Sequence, residues 1–202
     1  MSETPVNVSH RPGWFGKLPS LGDFASRRLP ESFVQPWDHW LQSGILAARG
    51  ELAERWLGTY LVAPVLRFWL APSLLGQHGW AGLMMPSVDR VGRHFPLTVA
   101  QPVESLAAVL AARDWFRDLD GAVRRVLDAA FTVEDFEAAL DALVCDAAEP
   151  GPAAEALAAH LGGSADASSL WWCGDADEGT EFRRFAGLPP ATSFAALLGG
   201  PQ

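Results

Sequence analysis

Lysine is almost missing from this chain: of 202 residues, only Lys17 is one, and the 15 basic side chains face 24 acidic ones for a formal charge of −9. No run of basic residues occurs anywhere. Binding a nucleic-acid duplex takes a concentrated basic face, so composition argues against that partner and equally against an anionic membrane surface. Cysteine is scarce too. Cys145 and Cys173 fit neither a CxxC nor a zinc-ligand spacing; one disulfide is formally open to them, but their apolar neighbours make two buried thiols the expectation. No apolar run approaches the ~18 to 20 residues that cross a bilayer. The opening MSETPVNVSHRPG lacks the basic-then-apolar layout of a signal peptide, and a cytoplasmic protein is the simplest expectation. Tyrosine occurs once, against nine tryptophans. Rings of that size supply core volume, and any left outside become candidate interface anchors.

What is present reads as a globular chain, 49% hydrophobic and 19% charged. Residues 1–12 read as a flexible leader and 13–202 as one α/β domain. The stretch 13–18 (GWFGKL) is strand-like, and Pro19 to Gly22 turns the chain. Pro30 opens a helix in which Phe33, Val34, Trp37, Trp40, Leu41, Ile45 and Leu46 recur at three- and four-residue steps. A shorter helix is expected over 51–57. Three compact apolar runs follow, at 65–70, 80–85 and 97–101. They are nearly continuous rather than alternating, as in strands covered on both faces. An amphipathic helix is expected over 105–130, with Gly121 as its break and Asp120–Arg124 as an i,i+4 pair. Thr132 and Asp135 form a capping-box pattern ahead of a helix at 133–146. A further helix near 153–161, two strands at 170–173 and 181–185 bracketing an acidic turn, and a short helix at 192–198 complete the chain. These elements predict a sheet of about five or more strands with helices on both sides.

Two segments concentrate polar chemistry. In Gly13-Trp-Phe-Gly-Lys-Leu-Pro, followed by Gly22-Asp-Phe, a lysine follows a glycine, but the GxxxxGK[ST] spacing of a phosphate loop is absent. Lys17 and Asp23 are left as structural contacts or as the lining of a polar pocket or docking surface. In Pro86-Ser-Val-Asp-Arg-Val-Gly-Arg-His-Phe-Pro96, the residues Ser87, Asp89, Arg90, Arg93 and His94 crowd a loop between two buried strands. A Ser/His/Asp triad is conceivable there, yet adjacency in sequence does not make one, and no GxSxG elbow is present. Pairing of Asp89 with an arginine to hold the loop is the simpler account. The other histidines are scattered without metal-ligand spacing, so neither a metal nor another cofactor is expected.

The same segments resemble the TagF family of type VI secretion accessory proteins. The resemblance rests on Gly13 to Pro19, then Gly22, Asp23, Phe24 and Arg27, and on Pro86 to Thr98, where His94 stands at a position more often aromatic. Trp37, Trp40, Arg67, Phe68 and Trp80 echo a tryptophan-rich middle, and Ser169 to Trp172 with Gly187 to Pro189 echo the closing segments. It implies a three-layer helix–sheet–helix domain and a post-translational repressor of type VI secretion without enzymatic activity. The implied partner is the system's forkhead-associated scaffold protein. Interface anchors are expected among Trp14, Phe15 and Trp172. Two other readings stand beside it. One is a ligand-sensing or enzymatic pocket built from Lys17, Asp23, Ser87, Asp89, Arg90 and Arg93. The other is a structural subunit of the apparatus.

Overall fold

The computed structural model describes residues 11–143, 149–162, 167–176 and 179–199. Most of the expected leader, Cys145, the last turn expected of the 133–146 helix and part of the acidic turn lie outside these residues.

Among the described residues, seven strands form one antiparallel sheet: β1 (Gly13–Gly16), β2 (Ala25–Arg27), β3 (Leu66–Leu70), β4 (Gly79–Met85), β5 (Leu97–Val103), β6 (Ser168–Cys173) and β7 (Arg183–Ala186). Their spatial order is β2-β1-β5-β4-β3-β6-β7. The middle three are a meander of consecutive strands, and β1 and β6 flank it. One face carries α1 (Glu31–Leu52), α2 (Trp56–Leu61) and, from the end of the chain, α7 (Phe194–Leu198). The other carries α3 (Leu106–Ala111), α4 (Arg113–Arg125), α5 (Val133–Asp141) and α6 (Pro152–His160). The expected three-layer α/β sandwich is therefore found, with separate hydrophobic cores above and below the sheet.

The period-2 alternation of strand side chains divides the aromatic residues between these cores. On β3, Leu66, Phe68 and Leu70 face α1 while Trp69 faces the other layer; on β6, the adjacent Trp171 and Trp172 part in the same way. Beneath α1, the Trp37 indole packs 4.9 Å from the Phe68 ring and donates to the Thr98 hydroxyl at 2.9 Å, so it spans from β3 to β5. α1 buries the face its spacing predicted: Phe33, Trp37, Trp40, Leu41 and Ile45 are buried, while Leu46 is exposed.

Several boundaries differ from expectation for local reasons. α1 runs on to Leu52 and stops where Ala53 takes a positive φ of 47°; a 3-10 turn then leads into α2, so the second helix starts later than 51. The stretch expected as one helix over 105–130 is two. The break falls at Ala112, with ψ at 45°, and not at Gly121, which lies inside α4. Ser105 caps α3 by accepting from the Ala108 N–H. Leu127, past the end of α4, is exposed rather than on the buried stripe. The Asp120–Arg124 pair forms at 2.9 Å, and Thr132 and Asp135 make the full capping box. β2, only three residues long, has no counterpart in the sequence pattern.

Where α7 lies against α1, the contact depends on a missing side chain. A Cβ on Gly44 would come within 2.3 Å of the Phe194 ring, which is itself held edge-on by Trp40 at 5.4 Å. Alanine favours a helix over glycine by about 1 kcal/mol. Overpacking against a ring that cannot move costs about 1–3 kcal/mol, so Gly44→Ala is expected to lower stability in a urea titration despite its better propensity.

Candidate functional site

The two polar segments meet at the end of the sheet where β1 stops and β5 begins. Gly16, at a φ of 133°, lets the chain pass under the Pro96 carbonyl, which a Cβ would approach to 2.1 Å. This brings Lys17 beside the loop between β4 and β5. That loop closes on itself through a Val88–His94 bridge and a bond from the Gly92 N–H to the Asp89 carbonyl at 2.9 Å.

Asp89 is the centre of the arrangement. Its Oδ1 accepts from the backbone N–H groups of Val91 (3.1 Å) and Arg93 (2.9 Å). Its Oδ2 lies 2.9 Å from Lys17 Nζ and accepts from Arg93 Nε at 2.6 Å. The Asp89 side chain is 0% exposed and that of Lys17 5%. Burial by itself would push this carboxyl up. The hydrogen bonds from the Arg93 N–H, the Lys17 ammonium, the Arg93 guanidinium and the Val91 N–H outweigh it, and hold the group well below the usual carboxylate range.

The remaining groups tie the loops together. Ser87 Oγ donates to the Lys17 carbonyl at 2.7 Å. The Arg90 N–H donates to the Leu21 carbonyl at 2.8 Å, and Arg93 Nη2 to the Gly22 carbonyl at 2.7 Å. Arg93 also lies 3.7 Å from the exposed Asp23 carboxylate. Tyr60, the single tyrosine, reaches in from α2: its hydroxyl donates to the Ser87 carbonyl and accepts from the Ser87 N–H, both at 2.9 Å. Burial pushes its phenol well above its ordinary pKa. Nothing in the sequence pattern marked Tyr60 except that it stands alone. His94 meets it ring edge to ring face at 5.6 Å, which accounts for a ring at that position.

Chemically this is a clasp. All four contacts to Asp89 are structural, the Ser87 hydroxyl serves a backbone carbonyl, and His94 packs on Tyr60, so the three residues form no catalytic relay. Among the described residues, no group of three or more His, Cys, Asp or Glu is placed to hold a metal ion. Arg27 does not join the clasp; its guanidinium donates to the neighbouring Ser26 carbonyl at 2.9 Å and is otherwise exposed. A second tie, missed in the sequence, fixes α5 to the sheet edge: Glu137 accepts from both the Trp14 indole and the Arg28 guanidinium.

The expected anchors are corrected by burial. Trp14, Phe15 and Trp172 are 0, 7 and 2% exposed, because a sheet covered on both faces takes rings from either side into a core. Among the described phenylalanine, tyrosine and tryptophan side chains, the most exposed is Phe24, at 46%. It stands edge-on against Phe95 at 4.7 Å, stacks on Phe15 at 6.2 Å, and lies under the Lys17 ammonium at 4.7 Å.

Fold and clasp together define an α/β sandwich whose two polar signatures interlock at one end of the sheet. The chain belongs to the family described as TagF N-terminal domain, type VI secretion system-associated, which it matches over residues 13–143. It is also similar to PA0076 from Pseudomonas aeruginosa PAO1, known from a crystal structure, with 38% sequence identity, a TM-score of 0.80 and 95% of each chain covered. A search of curated proteins found no match. The family match stops before β6, yet β6 pairs with β3 along its whole length, so the folded unit extends past it.

Proposed function

We propose that this protein is a non-enzymatic, post-translational negative regulator of type VI secretion, acting by protein contact in the cytoplasm with the system's forkhead-associated scaffold. Membership of a family associated with that machinery supports the setting. The observation that carries the non-enzymatic part is the occupancy of Asp89: both of its oxygens are spent on holding two loops together. A carboxylate so engaged has no lone pair free to orient a base or bind a substrate. No described helix is long and apolar enough to cross a membrane, which is compatible with a partner reached from solution.

The test is a calorimetric titration of the purified protein against the scaffold from the same gene neighbourhood, paired with secretion measured in cells lacking or overproducing the protein. Saturable one-to-one binding and increased secretion on deletion are expected. Absence of binding at tens of micromolar would set the scaffold aside. Loss of secretion on deletion would instead favour a structural subunit.

A further inference from the structure

We propose that the outer face of the clasp is the docking surface of this protein, built for an acidic segment of a partner, with Phe24 as its apolar anchor and Arg90 as its main charged contact. This rests on the reading that the protein acts by contact, and adds where the contact is made and what chemistry it takes. Charge is the first argument. The two segments carry Lys17, Arg90 and Arg93 against Asp23 and Asp89, three basic side chains against two acidic ones, on a chain whose formal total is −9. The clasp consumes only part of that excess. Lys17 and Arg93 are held by Asp89, whereas the Arg90 guanidinium makes no hydrogen bond or ion pair among the described residues and rests against Gly22. A surplus of positive potential on an acidic molecule selects acidic partners and speeds their approach.

Apolar exposure at the same place is the second argument. Val91, at the loop tip next to Arg90, is 69% exposed, and Phe24 across the Arg93–Gly22 bond is 46% exposed. Phe24 is not loose: Phe15, Phe95 and Lys17 fix its ring. An aromatic ring already held in position loses little freedom on binding, the property of residues that dominate interfaces. The clasp accounts for why the platform is rigid: two loops seventy residues apart are bonded side chain to backbone. The ligand class that satisfies both features is a peptide segment pairing Asp or Glu with a large apolar side chain.

The experiment uses full-length protein carrying Arg90→Glu or, separately, Val91→Asp, with Arg113→Glu on the exposed side of α4 as a charge-matched control. Each is checked for an unchanged Tm, then tested for scaffold binding and for restraint of secretion in cells. Arg90→Glu is expected to weaken binding roughly thirtyfold or more and to release secretion. Val91→Asp should act in the same direction, and Arg113→Glu should act like wild type. Wild-type affinity is expected to fall as salt rises. If the scaffold binds wild type and both variants equally and secretion stays restrained, the surface is wrong while the scaffold reading stands. If wild type ignores the scaffold but Arg90→Glu still releases secretion, the scaffold reading fails and the surface stands with another acidic partner. A concentration-dependent dimer that Arg90→Glu dissolves would assign the face to a second copy and overturn the partner proposal. Wild type that neither binds the scaffold nor restrains secretion overturns both.

Discussion

Replacing Lys17 with methionine is expected to cost about 3 kcal/mol of folding stability, the scale seen when one partner of a buried ion pair is removed. For a chain of this length that corresponds to a fall in Tm of roughly 6–12 °C. The loss comes from Asp89, which stays buried with Arg93 as its sole remaining cation. Adding Asp89→Asn to Lys17→Met should therefore cost little more than Lys17→Met by itself. The stranded charge disappears, and the asparagine oxygen can still accept the Val91 and Arg93 N–H groups. Strictly additive losses in this double-mutant cycle would show that the two side chains do not depend on each other. The pH dependence has a defined sign. Asp89 titrates near ~3.9 when unfolded and well below the usual range when folded. Its contribution is complete above the unfolded value and fades as pH falls below about 4 toward the folded one. The stabilities of wild type and Asp89→Asn should converge as pH falls through that range, with the variant showing the shallower loss.

Gly82→Ala is expected to be more damaging, at about 3 kcal/mol or above, and to reduce soluble yield. Gly82 lies on the central strand β4, opposite Phe68 on β3 and Ala100 on β5. A Cβ there would come within 2.0 Å of the Val99 carbonyl oxygen, and within 2.8 Å of the Ala100 Cα. Both are backbone atoms of the neighbouring strand, so no rotamer change relieves the contact; β4 and β5 must separate. Trp37 bridges β3 and β5 across this strand, and its bond to Thr98 should loosen with the shift. Hydrogen exchange at β5 amides reads this directly. Wild-type protection of β5 in Gly82→Ala would mean that the strands have room the structure does not show.

Features governed by near neighbours were legible in the sequence. The capping box at Thr132 and Asp135 needs only three residues, and the apolar face of α1 follows from the spacing of Phe33, Trp37, Trp40 and Leu41. Features set by distant partners were not. β2 exists because Gly13 to Gly16 presents an edge on which Ala25 to Arg27 can pair, and those residues have no strand signature of their own. The break at Ala112 went to a residue with good helix propensity, while Gly121, the weaker helix former, stayed helical on an exposed face. The candidate site was half legible. Its polar residues stood out by density, and the pairing of Asp89 with an arginine was foreseen. The Lys17 contact, the Tyr60 strut and the Arg28–Glu137 tie depend on the path of the chain. For the tryptophans, sequence indicates how much apolar area must be covered but not which layer covers it. With helices on both faces, Trp171 and Trp172 both go inside, and the exposed ring is instead Phe24.

β3, β4 and β5, consecutive in the chain, make the middle of the sheet; the strands that flank them come from far away, β1 from upstream of α1 and β6 from downstream of α6. One long chain closure must therefore be completed on each side before the meander is sealed, which places this fold among slow, topology-limited folders. Until then, the outer sides of β3 and β5 present unpaired N–H and C=O groups flanked by apolar side chains, the kind of edge that recruits other chains. A nascent or clipped molecule lacking its final third would have Leu66 to Leu70 uncovered. Abundance in the cell should thus depend on how fast β6 arrives, and proteolysis before that point would remove the protein by aggregation rather than leave a working fragment.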